Sequence, residues 1–129
     1  MKKITLLLLT FISIQSMAQK VNRKELLNES LNPKTVSKVS VKEITMEPLQ
    51  KGGLHQHPCP VFGYVAEGKL YFQIEGHPAK TLLKGEAFFE PANTPIAHFD
   101  NASQEPLKFI AFYLTNGEEQ LIEMLPQKP

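Results

Sequence analysis

His55 and His57 are separated by one residue, and on an extended segment a spacing of two places both imidazoles on the same side of the chain. Two ring nitrogens can then reach one ion. His98 follows the loop from Pro91 to Pro95 inside a predicted strand, and a sheet curled into a barrel would bring it opposite the pair. Three imidazoles, each binding in its neutral form, suit zinc, iron, copper or nickel better than calcium or magnesium. His77, on a predicted hairpin tip, reads as a solvated residue. Cys59 is the only cysteine and rules out an intrachain disulfide. Between Pro58 and Pro60 it reads as a loop residue, although a lone thiol in an oxidising compartment could also pair between chains or react.

The elements that must position these side chains have the periodicity of strands. From Thr35 to Met46 the chain is rich in β-branched residues, and Val39, Val41, Ile44 and Met46 alternate imperfectly with polar ones. That predicts a half-buried strand with one bulge. Val61 to Ala66 and Lys69 to Glu75 flank Glu67-Gly68, a two-residue link that predicts a hairpin. Further strands are predicted at Ala79 to Leu83, Ala87 to Phe89, Ile96 to Asp100 and Leu107 to Thr115, with Lys84-Gly85-Glu86 as a turn. Short strands at close spacing, punctuated by Gly and Pro, mean an antiparallel sandwich or barrel. Arg23 to Leu31 and Glu118 to Leu125 fit either a helical face or an extended edge.

The start of the chain is of a different kind. Met1-Lys2-Lys3 is cationic, Ile4 to Ile14 is an apolar run, and Ser16-Met17-Ala18 carries small residues at the two positions a signal peptidase reads. Residues 1–18 are therefore expected to be a helical secretory signal, since about twenty apolar residues are needed to span a bilayer and this run is shorter. Lys3 to Ile14 should form a helix that does not pack on the barrel. The mature chain, 19–129, is expected to be a single domain outside the cytoplasm, periplasmic or secreted, with no membrane association once the signal is removed. Taking Lys2 and Lys3 from 14 basic residues leaves 12 against 13 acidic ones, a near-neutral balance that gives no electrostatic footprint for nucleic acid or anionic lipid.

Gly52-Gly53-Leu54-His55-Gln56-His57-Pro58, followed by Phe62 to Gly68 and then by Gly85, Pro91 and His98, closely resembles the two motifs of the cupin superfamily. It is most similar to small secreted or periplasmic single-domain cupins. The resemblance implies an all-β jelly-roll barrel with a metal or ligand site in its open mouth. It matches His55, His57 and His98 to three histidine ligands, and Gly68 to the glycine closing the first motif. The Glu that the family pattern places four residues after the second His is Val61 here, so the implied site is three-histidine. The loop from Pro91 to His98 is two residues longer than the pattern, Asn93 stands where Gly is common, and Asn101 comes one residue early. Glu90 and Cys59 are the nearby groups able to supply a fourth ligand or a base, and neither is expected to.

Such a fold hosts many unrelated reactions. One expectation is a cupin that holds a divalent transition metal through His55, His57 and His98 and binds a small organic ligand, as a metal-dependent oxygenase or isomerase. Phe62, Tyr64, Phe72, Phe88, Phe89, Phe99, Phe109 and Phe112 would then partly shape the interior. The alternative is a non-enzymatic ligand-binding or sensing cupin without a catalytic metal. Substrate and metal identity are not legible. A homodimer is expected, with Leu107 to Thr115 and Val21 to Leu31 covering an edge of the partner.

Overall fold

The computed structural model describes residues 20–117 and 120–127. The expected helix from Lys3 to Ile14 and the boundary at Ala18 lie outside them. Nine strands and no helix occur among the described residues. One sheet takes the order β1 (Lys38–Met46), β8 (Leu107–Thr115), β3 (Val61–Glu67), β6 (Ala87–Glu90). The other runs β5 (Lys80–Leu83), β4 (Lys69–Ile74), β7 (Ile96–Asp100), β2 (His55–Gln56), β9 (Glu123–Met124). All neighbours are antiparallel. The result is the expected all-β jelly roll.

Alternation along the strands decides what lies between the sheets. In β8 Leu107, Phe109, Ala111, Tyr113 and Thr115 are buried, while Ile110, Phe112 and Leu114 face outward. Opposite them, β4 and β7 contribute Leu70, Phe72, Ile96 and Phe99, and β6 contributes Phe88. Phe72, Phe88, Phe99 and Phe109 form a connected ring cluster, with Phe99 and Phe109 centroids 4.9 Å apart. These four of the expected interior aromatics do face inward. Phe62, Tyr64, Phe89 and Phe112 instead share the outer face of the first sheet, where Phe112 pairs with Phe62 and Phe62 with Phe89.

Three expectations about the strands are corrected. The link at Gly68 is not a hairpin, because β3 and β4 belong to different sheets; it is a corner at which the chain crosses from one to the other. Gly68 has φ +83°, and a Cβ there would lie 2.6 Å from the Pro106 carbonyl oxygen, so only glycine turns this corner without displacement. The second correction concerns β1, which pairs with β8 through all nine positions without a bulge. Its imperfect alternation arises because Val39 and Val41 face outward while Ile44 and Met46 face in. Third, β8 lies between β1 and β3, so it offers no edge with which to cover a partner.

Both ambiguous segments are extended or irregular where described. Residues 20–37 have no regular secondary structure, and Leu27 faces a groove with Ile74 and Phe89. Near the C-terminus, β9 pairs with β2, and the Leu125 amide donates to the Leu54 carbonyl at 2.9 Å. That pairing fixes the outer side of the histidine segment.

Candidate metal centre

His55 lies on β2, with Ile96 of β7 on one side and Met124 of β9 on the other. The turn before it depends on Gly53, at φ +77°, where a side chain would also crowd Met124. Its carbonyl is thereby aimed at His55 Nδ1, which donates to it at 2.8 Å. His57 Nδ1 donates to the Leu121 carbonyl at 2.5 Å. With each Nδ1 carrying the donated proton, the neutral rings present an Nε2 lone pair to the interior. Both rings are buried, 5.1 Å apart between centroids.

The third corner is Glu90, the last residue of β6 and 2% exposed. Its Oε1 lies 3.4 Å from His55 Nε2, and its Oε2 lies 3.3 Å from His57 Nε2. Oε1 is fully enclosed and receives no hydrogen bond of proper geometry. Two nitrogen lone pairs therefore face two carboxylate oxygens, acceptor to acceptor, in a buried space. A positive charge is required between them, as a bound cation or as a proton on a ring. The protonation tendencies agree. Burial works against a charged His55, but the Glu90 carboxylate and the Gly53 carbonyl outweigh it and raise its pKa above the ordinary value. Burial likewise opposes a charged Glu90, yet the two histidines prevail and hold its carboxyl below the usual range.

The ligand atoms of His55, His57 and Glu90 all lie within 4.8 Å of one another. Two imidazoles and one carboxylate form the set that holds zinc, iron and related divalent ions while leaving positions open. The residues fit a metal, and the carbonyls behind both histidines supply the orientation that ligating imidazoles ordinarily have.

His98 is not brought to this site. In the β4–β7 ladder Gln73 pairs with His98 and the adjacent Ile74 pairs with Ile96, so Ala97 is an extra residue in β7. Regular alternation through Ala97 would put His98 on the inward side with Ile96; the bulge instead turns Phe99 in and His98 out. The His98 side chain is 46% exposed, its Nδ1 2.8 Å from Asp100 Oδ2, beside Tyr71. Ile96, wholly buried and paired with His55, occupies the inward place. The described residues thus bring His55 and His57 together with Glu90, and not with His98.

Glu90 was weighed in the sequence as a fourth ligand or base and discounted. Val61, which stands where a Glu was expected, is directly opposite Glu90 in the β3–β6 ladder, and both point inward. The carboxylate lies one strand over from its expected place. Two sequence signals bear on it: Glu90 is two residues from Phe88, hence on the same strand face, and it is an acidic residue ending an apolar run. The pairing of 61 with 90 is a long-range fact. Cys59 is buried without joining the triad, and His77 is exposed, as expected.

A cavity of about 200 Å³ opens beside the triad, walled by Ile44, Met46, Phe99, Phe109 and Tyr113. Tyr113 stacks edge-on to His57 at 5.7 Å, and burial with the neighbouring Glu90 charge pushes its hydroxyl pKa up to about 12. It remains a donor at any ordinary pH.

The sequence profile described as Cupin domain matches residues 42–113. The chain belongs to the cupin family. A curated relative of this cupin, the dimethylsulfoniopropionate lyase DddQ of Ruegeria pomeroyi, is 31% identical over 71 residues, which are 55% of this chain and 33% of the relative. The chain thus spans about a third of that protein's length. The crystal structure of the same lyase superposes with a TM-score of 0.59 at 22% identity, over 67% of this chain and 42% of the lyase chain. A cupin-like protein from Thermotoga maritima gives 0.57 at 28% identity, over 67% and 64% of the two chains. An oxalate oxidase bound to the substrate analogue glycolate gives 0.60 at 19%, over 67% and 46%. These likenesses establish the barrel and leave the reaction to the residues inside it.

Proposed function

We propose that this cupin binds a divalent transition metal through His55, His57 and Glu90 and uses it to hold a small organic molecule in the adjoining cavity. The observation that carries this reading is the convergence of two Nε2 lone pairs on a buried carboxylate whose Oε1 has no donor. When bound, the ion supplies Lewis-acid polarisation of a coordinated oxygen. The chain does the rest. Gly53 and Leu121 fix the ring tautomers, Tyr113 offers a proton donor beside His57, and Phe99, Phe109 and Met46 exclude water. The names of the lyase and the oxidase denote proteins acting on small organic acids, which supports a ligand of that size.

Elemental analysis of protein purified without chelator or affinity-tag metal tests the reading. About one ion per chain is expected, and absence of metal after reconstitution with zinc and iron overturns it. A non-enzymatic binding cupin is the second reading, favoured because Gln50 and Tyr113 are the polar side chains lining the cavity besides the triad among the described residues. A metabolite screen with oxygen consumption separates the two: turnover by the metal-loaded protein removes the second.

Export is proposed from residues 1–18, and an intact mass of the exported protein starting at Gln19 checks it. A homodimer is proposed through the outer face of the first sheet rather than through an edge. Val41, Phe112, Phe62 and Phe89 form one apolar row across all four strands, with Val41 56% and Phe112 39% exposed. The four strands hold 9, 9, 7 and 4 residues, a flat footprint of roughly 470 Å² at strand spacing, and side-chain relief adds to it toward the roughly 800 Å² per partner of a stable pair. Light scattering on Phe112→Lys should give the mass of one chain; a wild-type monomer at all concentrations refutes the dimer.

A further inference from the structure

The cavity beside the triad constrains the chemistry of its occupant, on the reading that the triad holds a divalent ion. We infer that this site takes a short, singly charged organic acid, its carboxylate on the ion and its apolar chain against Met46, Phe99 and Phe109.

Charge gives the first part. The ion brings two positive charges, Glu90 removes one, and the two histidines are neutral because the ion takes Nε2 of each ring while the ring's one proton sits on the Nδ1 that faces a carbonyl. One carboxylate then makes the buried assembly neutral. A second negative charge would enter a cavity whose described lining contains no Lys or Arg, and would stay unpaired in an apolar space. A basic group outside the lining is Lys42, two residues from Ile44 on the same side of β1, with its ammonium 5.9 Å from the Tyr113 ring centroid. Lys42 is exposed and does not line the cavity.

Donors and shape give the second part. Tyr113 lines the cavity beside His57, and its protonated hydroxyl can serve as a donor to the second oxygen of a coordinated carboxylate. Gln50 accepts the Glu47 amide through Oε1, which leaves its amide nitrogen as another donor. The remaining walls are aliphatic or aromatic. A volume near 200 Å³ is below the roughly 300 to 1,000 Å³ of drug-sized sites, and equals about seven water volumes. That accommodates an acid of four or five carbons against the apolar walls, and the charge argument disfavours phosphorylated sugars.

The test is calorimetric titration of the zinc-loaded mature chain with acetate, butyrate, octanoate and succinate, with zinc content measured on the same sample. Each buried methylene should tighten binding roughly fourfold, so butyrate should exceed acetate by about tenfold or more, while octanoate gains nothing further. Succinate should bind at least tenfold more weakly than butyrate. Met46→Trp should erase the difference between butyrate and acetate with zinc retained, and Tyr113→Phe should weaken both about tenfold. With one zinc per chain, succinate equal to butyrate, or acetate equal to butyrate, overturns the inference alone. If Lys42→Ala then abolishes succinate binding, the second charge is held at the mouth and the single-charge rule is wrong. Failure to hold zinc at all overturns the metal reading beneath it.

Discussion

The segment from Gly52 to Gly68 and the segment from Gly85 to Asn101 carry the two halves of one motif pair, and they behave differently. In the first, His55 and His57 converge as their spacing requires, held by carbonyls from Gly53 and Leu121. The second has an extra residue at Ala97, an inward Ile96 where a third imidazole was expected, and an outward His98. It nonetheless completes the site, through Glu90 five residues after Gly85. A motif position is a prediction about a side of a strand. One inserted residue reverses that side for everything beyond it, whereas a cross-strand neighbour can supply the same atom from elsewhere.

The strongest way to break this comparison is to remove the substitute carboxylate. Partners behind the ligands are commonly worth about 10–100-fold in metal affinity, so loss of a ligand itself should exceed about a hundredfold. Glu90→Ala, His55→Ala and His57→Ala should therefore emerge without metal. Equal metal content in wild type and Glu90→Ala, measured by elemental analysis, would show that the first segment binds unaided.

The comparison is sharpened by moving the carboxylate back. Val61 and Glu90 are ladder partners pointing inward, so Val61→Glu combined with Glu90→Val puts the oxygens within a strand spacing of their present place. The double variant should recover affinity to within about tenfold of wild type, while Glu90→Val alone should not. If the double variant stays empty, the histidine rings are aimed at β6 too closely for β3 to serve.

Much of this was legible because it is local. Strand positions, the His-x-His geometry and an antiparallel sandwich or barrel follow from alternation, β-branched composition and turn residues, while the jelly roll itself came from the resemblance of the two motifs to cupins. The hairpin expected at Gly68 failed for a long-range reason, since a two-residue link between strands looks the same whether they pair or turn a corner between sheets. Similarly, nothing local marks Ala97 as a bulge; the evidence is the register of Gln73 and Ile74 against β7. Glu90 was visible as a ligand candidate but discounted, because its role depends on which strand lies beside β3.

A smaller effect comes from acidity, and its sign separates a proton from a metal as the charge between the triad's atoms. In metal-free protein the raised pKa of His55 gives stability that is full below about 6.5 and is lost as pH rises through its folded value. The lowered pKa of Glu90 gives stability present above about 4.5 and lost as pH falls through its folded value. The melting temperature in chelator should therefore peak in the mildly acidic range and decline toward pH 8. With zinc the trend reverses there, because protons compete with the ion for both imidazoles. Parallel curves with and without chelator would mean that no ion replaces the proton.

The smallest effect is expected at His98, where the two segments differ most from the motif. Its partner Asp100 also accepts the Gly52 amide through Oδ1 at 3.1 Å, so Asp100 retains a donor when the imidazole is removed. The imidazole is nearly half exposed, and pairs of that kind contribute at most about 1 kcal/mol. His98→Ala should lower the melting temperature by no more than about 4–8 °C and leave the metal-to-protein ratio unchanged. Asp100→Ala should cost more, since it leaves the Gly52 amide, in the turn that leads to His55, with only the Phe99 carbonyl 3.0 Å away. Loss of metal in His98→Ala with Asp100 intact would place the imidazole in the site after all, and would mean that the bulge at Ala97 does not persist in solution.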